Sequence, residues 1–348
     1  MTAEARGPHP PRPSDAELLA LLAASGSPVA IRDRRPCAYS TSFALEELDV
    51  LWADGRRRRL VFKDLGPNAL LAEARDHRPA FLYDPRREVT VYRHVLEGRG
   101  LGTAELFGSA LDPAGGRYWL ALEHVAGGQL RHTDDPALWD AAARCLARLH
   151  SIPVPTQGDA SAALARYDAA YFGRWLDRAI ARARSGSADD TVLSSADTLR
   201  RAVAGAAAVL AADRPVVVHG DFYPANVLVR SGAAAAVCPI DWELAGVGPG
   251  AVDLAALVAG EWADADRDRM LSAYADEAAR LGRPPADPRA LRRSVAAARV
   301  VAAVQWLGWA HGWSAPPDQS RDWLRDALSA AAVLDAEGGA AGGPGGWT

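Results

Sequence analysis

The sequence predicts an α+β fold, with strands gathered in its first third and mainly α-helices after it. Three observations carry this. Strand-length apolar runs with hairpin signals gather before residue 125, helical apolar rhythm dominates after residue 136, and one short hairpin with polar ends interrupts the helices within residues 216–243. At 348 residues and 49% hydrophobic content the chain can bury a core large enough for two lobes. The boundaries read as a disordered tail at 1–14, an N-terminal lobe at 15–125, a C-terminal lobe at 126–337 and a second disordered tail at 338–348.

Pro8, Pro10, Pro11 and Pro13 mark the first tail, after which Ser14 is a plausible cap for a helix over residues 15–24. Residues 48–52 and 60–65 read as two strands returning through Ala53-Asp54-Gly55, with the polar segment 36–44 ahead of them. Asp84-Pro85 is a helix start, and Val89, Tyr92 and Leu96 then mark an apolar face. Residues 118–125 form a strand running into Gly127-Gly128, where the chain can turn. Residues 136–152 are helical, and His150 near their end reads as a helix-end cap. The alanine-rich residues 161–212 are helical, broken near Ser185-Gly186-Ser187, and carry no evident chemistry.

Residues 216–243 read VVVHGDFYPANVLVRSGAAAAVCPIDWE. Two short strands, 227–229 and roughly 235–240, turn at Ser231-Gly232, so Asn226 at the start of one and Asp241 at the end of the other come out side by side. Asp221 stands five residues before Asn226 on the loop leaving the apolar run 216–218. Two carboxylates and a carboxamide at one rim are oxygen ligands suited to Mg2+, which completes its shell with water and phosphate.

Composition narrows the classes. A net charge of −4 argues against a nucleic-acid partner. No apolar run has transmembrane length, and the Pro- and Arg-rich start lacks a signal peptide's apolar core, so a cytoplasmic protein without membrane attachment is expected. Cys37, Cys145 and Cys238 are odd in number and widely spaced, as reduced thiols would be. Among 39 Lys and Arg residues, Lys63 is the only lysine, and it lies within the strand 60–65. An ammonium is a compact point charge where a guanidinium is broad and planar, so the lysine is either a chance surface residue or one kept at a site that arginine cannot serve.

The motif His219-Gly220-Asp221-Phe222-Tyr223-Pro224-Ala225-Asn226 followed by Ile240-Asp241-Trp242-Glu243 resembles the aminoglycoside phosphotransferase and choline kinase group, small-molecule kinases with the protein-kinase-like fold. The resemblance implies a small N-terminal antiparallel β-sheet lobe with one packed helix and a larger, mainly α-helical C-terminal lobe, and an ATP- and Mg2+-dependent phosphotransferase with an alcohol acceptor. Asp221 is then the catalytic residue that orients the acceptor hydroxyl, and Asn226 and Asp241 are the metal ligands. Lys63, held by Glu88, takes the α and β phosphates. Ser40, Thr41 and Ser42 occupy the nucleotide-covering loop, which departs from the commoner pattern because it contains no glycine. Glu123 and Val125 sit where backbone groups bond the adenine edge, and Asp253 caps a helix or braces the catalytic loop.

The implied acceptor is a hydroxyl of an aminoglycoside, amino sugar or related natural product, in resistance or biosynthesis. A choline- or ethanolamine-like amino alcohol and a catalytically silent nucleotide-binding module are the alternatives. Trp306, Trp309 and Trp313 at helical spacing read either as core or, with Glu261, Asp264 and Asp266, as candidates for the acceptor pocket, since indoles and carboxylates both attract amines. A monomer or homodimer acting on a small hydroxyl compound is the expected assembly. The catalytic aspartate is not expected to need an abnormal pKa.

Overall fold

Ser14 opens the structure: its hydroxyl accepts from Glu17 N (3.3 Å) while the Glu17 carboxylate accepts from Ser14 N (3.0 Å), a reciprocal cap that starts α1 (Asp15–Leu22). The computed structural model describes residues 12–37, 42–185, 190–232, 237–284, 287–309 and 322–339. Residues 12–14, read from composition as part of a tail, are tied down. The Pro13 carbonyl accepts from Arg34 (2.7 Å), and Arg12 pairs with Glu46 (3.4 Å). The chain divides into two units, Met1–Ala126 and Gly127–Thr348.

In the first unit β1 (Pro28–Pro36), β2 (Leu45–Trp52), β3 (Arg57–Asp64), β4 (Leu106–Asp112) and β5 (Arg117–Glu123) form an antiparallel sheet in the order β1-β2-β3-β5-β4. β2 shows the cause in its period of two. Leu48, Val50 and Trp52 alternate onto the buried face, where they meet Leu60, Phe62, Phe107, Trp119 and the α1 residues Leu18 and Leu22. Glu46 shares that face only because Arg34 reaches it at 2.6 Å. Between β3 and β4 lie α2 (Ala72–His77) and α3 (Arg87–Val91), the latter continued by a π-helical turn at Tyr92–Leu96. α3 begins later than Asp84-Pro85 suggests, because the Asp84 side chain is spent on Arg86, from which it takes both the backbone N–H and the guanidinium.

The second unit opens on β6 (Gly127–Gln129), which is a strand and not the free turn that its glycines suggest. A Cβ on Gly127 would lie 1.8 Å from the Val229 carbonyl, so only glycine permits this pairing. α4 (Pro136–Ser151), α5 (Gly158–Ala163), β7 (Ala165–Arg166), α6 (Ala169–Ser185), α7 (Asp190–Ser194) and α8 (Ala196–Leu210) follow. Next come β8 (Pro215–Val218), β9 (Val227–Arg230), β10 (Val237–Pro239) and β11 (Gly246–Pro249), then α9 (Ala251–Leu257), α10 (Asp264–Arg280), α11 (Pro288–Trp309) and α12 (Trp323–Gly339). Two three-stranded sheets, β10-β9-β6 and β7-β11-β8, carry the loops 219–226 and 240–245 at the same end, since Val227 faces Pro239 and Val218 faces Gly246. α11 packs against α6, α8, α9 and α12, and its buried stripe of Val295, Ala298, Val301 and Val304 accounts for these neighbours. Among the described residues no helix is long and apolar enough to cross a membrane.

Candidate active site

The loop leaving β8 is shaped by one buried carboxylate. Asp253, in the first turn of α9, accepts His219 N at 2.7 Å through one oxygen and Gly220 N at 2.8 Å through the other. His150, from the last turn of α4, reaches the same carboxylate (3.1 Å) and meets the Tyr274 hydroxyl with its other ring nitrogen (3.0 Å). It is therefore a buried partner of Asp253 and not the helix-end cap that its position suggests. Gly220 adopts φ +81 where a Cβ would sit 2.0 Å from the Tyr167 hydroxyl and 2.3 Å from the Leu244 carbonyl, so glycine is required on both counts.

His219 joins this loop to the next. Its Nδ1 accepts from Asp221 N (3.3 Å), which leaves the proton on Nε2, donating to the Ile240 carbonyl at 3.0 Å. The ring packs on Trp242 (4.4 Å between centroids) and edge-on to Phe222 (5.5 Å). Between the strands Val237, Cys238 and Pro239 face Val229, Leu228 and Val227, and Ile240 N donates to the Asn226 carbonyl at 2.9 Å. Asn226 and Asp241 thus emerge at the same end of the hairpin. Asp241 has φ +67, the only non-glycine residue with positive φ among those described, a local strain of the kind that gathers at functional sites.

The Asn226 amide donates to both the Asp221 carbonyl (3.0 Å) and the Asp221 carboxylate (2.7 Å). Its two N–H groups are thereby used on Asp221, and its oxygen is left as a ligand of the kind a hard cation takes. Burial pushes the Asp221 carboxyl up to about 7, with the nearby charges of Asp241 and Glu243 adding to the effect. The mechanism needs no abnormal carboxyl, and in the metal-free chain this one is nonetheless raised. The physical reason is that three acidic groups share one desolvated corner, an arrangement that a divalent cation would relieve. Among the described residues no group of three His, Cys, Asp or Glu side chains stands ready to hold a metal alone. The donor set of Asn226 and Asp241 fits Mg2+, which keeps waters and substrate phosphates in its shell.

One prediction arises here. The unfolded chain releases the Asp221 proton near the usual carboxylate range, while the metal-free folded chain holds it to about 7. The folded form binds the extra proton between those values, so stability falls as pH rises through that window and stays reduced above it. The loss is at most about 4 kcal/mol. In the presence of a chelator, Asp221→Asn is expected to melt above the parent protein at about pH 8 and close to it at about pH 4. A lower melting point for the variant at the higher pH would contradict this reading of the corner.

In the first unit the Lys63 ammonium on β3 lies 2.8 Å from Glu88 of α3, with the two residues 9% and 1% exposed. Glu123 N is engaged by the Glu105 carbonyl (2.8 Å), and Val125 is buried just before the unit's end. The Ser42 carbonyl accepts from Leu71 N (3.0 Å). Ser40, Thr41 and Trp313 lie outside the described residues.

The acceptor candidates separate into two places. Trp306 donates from its indole N–H to the Tyr223 hydroxyl (2.6 Å), two residues from Asp221, and stacks on Trp323 of α12 (5.2 Å, 13°). Trp309 packs on Trp175 of α6 (5.9 Å). At the start of α10, Asp264 pairs with Arg267 (3.1 Å) and Asp266 lies 3.8 Å from Arg269, while Glu261 is exposed. The neighbouring Trp262 packs edge-on to Trp139 of α4 (4.5 Å). Sequence reasoning passed over Tyr167 and Phe172. Both line a small concavity with Gly220 and Tyr223, the chain neighbours on either side of the loop that carries Asp221. Only a periodicity reading that asked which helix faces the catalytic loop would have singled them out.

Comparison with known proteins gives the chain's family and fold. The model of the phosphotransferase enzyme family (APH) matches residues 48–293. No curated protein matches in sequence. Among solved structures, an ethanolamine kinase of Plasmodium vivax is similar over 88% of this chain and 83% of its own, at 14% identity and TM-score 0.59. The choline kinase LicA of Streptococcus pneumoniae is similar over 92% and 98%, at 16% identity and TM-score 0.57. The streptomycin-ATP-APH(2")-IIa ternary complex is similar over 92% and 97%, at 17% identity and TM-score 0.55. At these identities the likeness concerns the fold, which is protein-kinase-like.

Proposed function

The chain belongs to the phosphotransferase enzyme family, and from that premise we propose that it transfers the γ-phosphoryl group of ATP to a hydroxyl of a small natural product, such as an aminoglycoside or amino sugar, or of an amino alcohol. The observation that carries the reading is the corner of Asp221, Asn226 and Asp241 on a loop pinned by Asp253. Lys63, Glu88, Asp221, Asn226 and Asp241 are all present, which favours a working enzyme over a silent nucleotide-binding module. From Asp241 the chain enters β11 at Gly246, a connection too short for a protein-docking segment, which favours a small acceptor. We place the enzyme in the cytoplasm as a monomer or homodimer.

In this mechanism Asp221 accepts a hydrogen bond from the acceptor hydroxyl and aims its oxygen at the γ phosphorus. As that O–P bond forms, the bond to the β-phosphate oxygen breaks, ADP leaves with the electron pair, and the hydroxyl proton passes to the Asp221 carboxylate. Lys63, oriented by Glu88, holds the α and β phosphates, with Ser42 and the backbone near Glu123 and Val125 as further nucleotide contacts. Asn226 and Asp241 hold Mg2+, which when bound neutralises the charge on the phosphate oxygens. Because the transition state is loose, positioning and charge neutralisation supply most of the rate.

The metal assignment is tested by titrating Mg-ATP into two variants. Asp241→Asn is expected to weaken binding by about tenfold or more beyond the effect of Asn226→Ala, since the carboxylate supplies the charge and the amide only an oxygen dipole. Equal affinities in the two variants would contradict it.

A further inference from the structure

The carboxylate that shapes the catalytic loop is itself held by a chain of buried side chains. Asp253 is fully buried and takes the backbone N–H groups of both His219 and Gly220. Its Oδ2 also meets His150 Nε2 at 3.1 Å, and His150 Nδ1 lies 3.0 Å from the Tyr274 hydroxyl. An ionised carboxylate only accepts, so His150 presents Nε2–H to it. That leaves Nδ1 bare, to accept from Tyr274. Burial and the charges of Asp253 and Asp213 push the Tyr274 hydroxyl above the usual tyrosine range, so it keeps its proton and donates it here.

Packing holds Tyr274 and His150 in this relation. α4 and α10 lie against each other, and two ion pairs tie them along α10: Arg269 with Asp140 before Tyr274, and Glu277 with Arg148 (3.0 Å) after it. The two rings meet edge-on with 5.6 Å between centroids. At the start of α9 a Cβ on Gly250 would lie 2.6 Å from His150 Nδ1, so only glycine leaves room for the imidazole there. His150 is 4% exposed. A buried Nδ1 without a donor is costly, and the ring regains a partner only by moving its proton or turning over. Either change points a bare nitrogen or a carbon at the Asp253 carboxylate.

We infer that Tyr274 is a positioning residue of the active site: by donating to His150 Nδ1 it fixes the tautomer that presents Nε2–H to Asp253, and so holds the backbone of His219 and Gly220, next to Asp221, in shape. For its consequence in catalysis the inference rests on the phosphotransferase reading, whereas its structural half stands without it. Tyr274 touches no reacting atom. Its loss therefore loosens the loop, which costs rate through misplacement of Asp221 and leaves nucleotide binding as it was.

The test compares the full wild-type chain with Tyr274→Phe, which removes one hydroxyl and keeps the ring. Nitrogen NMR of the wild type with labelled histidine is expected to show His150 with a protonated Nε2 and a bare Nδ1. Amide hydrogen exchange at His219 and Gly220 is expected to quicken about tenfold or more in the variant, while the amides of β2 exchange as before. ADP release from Mg-ATP is measured with the hydroxyl compound that the wild type uses fastest, or with water where it uses none. Its kcat is expected to fall about fivefold with the KM for Mg-ATP unchanged. In a His150→Gln background, whose amide has no tautomer to lose, adding Tyr274→Phe is expected to change the exchange little further. If Tyr274→Phe does not fold, the wild-type tautomer of His150 decides alone. A protonated Nδ1 in the wild type overturns the inference. So does exchange at His219 and Gly220 that is unmoved, exchange that quickens evenly over α4 and α10 with kcat unchanged, or an equal effect of Tyr274→Phe in both backgrounds. A wild type that releases no ADP would instead strike the phosphotransferase reading and leave the exchange result standing.

Discussion

Replacing Asp221 by Asn is expected to lower phosphoryl transfer by about 100-fold or more while Mg-ATP binds as before. The substitution is nearly isosteric, and its side-chain oxygen can still accept the 2.7 Å hydrogen bond from Asn226, so the loop held by Asp253 keeps its shape. What disappears is the carboxylate proposed to aim the acceptor hydroxyl and take its proton. The same change removes a buried charge, so the variant should be dead as a transferase yet no less stable. Steady-state ADP release beside a melting curve separates these effects. A variant that turns over normally with a verified acceptor would remove Asp221 from the mechanism.

Lys63→Arg is expected to lose activity almost as fully as Lys63→Ala, by about 100-fold or more, although it conserves charge. The Lys63 ammonium stands 2.8 Å from a Glu88 that is 1% exposed, so a planar guanidinium must displace the carboxylate or miss the phosphates. Lys63→Ala leaves the Glu88 carboxylate buried without this partner, a loss that typically costs about 3–5 kcal/mol. That variant should therefore also melt early, and Lys63→Met serves as the control that keeps the stem's packing. Near-normal transfer by the arginine form would show that the solitary lysine is an accident of composition.

Much of the site is local in sequence and was legible there. His219, Asp221 and Asn226 lie within eight residues, and the hairpin that brings Asp241 beside Asn226 is encoded by two short apolar runs and a turn. Lys63 stood out through composition, Glu88 only through the family resemblance, and the two meet in the structure. Other features depend on distant partners, which no spacing rule reports. His150 and Asp253 are 103 residues apart, and the Tyr167 hydroxyl finds a carbonyl 77 residues away. The raised Asp221 carboxyl arises from burial and from neighbours beyond the loop's own pattern, so the motif alone suggested an ordinary acid. The aromatic stripe shows the same limit. Period told that Trp306 and Trp309 share a helix, but not that one turns to Tyr223 and the other to Trp175.

The central claim is that the γ-phosphoryl group of ATP passes to a carbon-borne hydroxyl through Asp221. The most direct measurement is incubation of the full chain with Mg2+ and ATP isotopically labelled in the γ-phosphoryl group, over a panel of hydroxyl compounds, with products read by mass. The account predicts a labelled phosphate monoester formed mole for mole with ADP, and none with the Asp221→Asn variant. ADP accompanied only by labelled inorganic phosphate, or a monoester formed equally well by the variant, would contradict it.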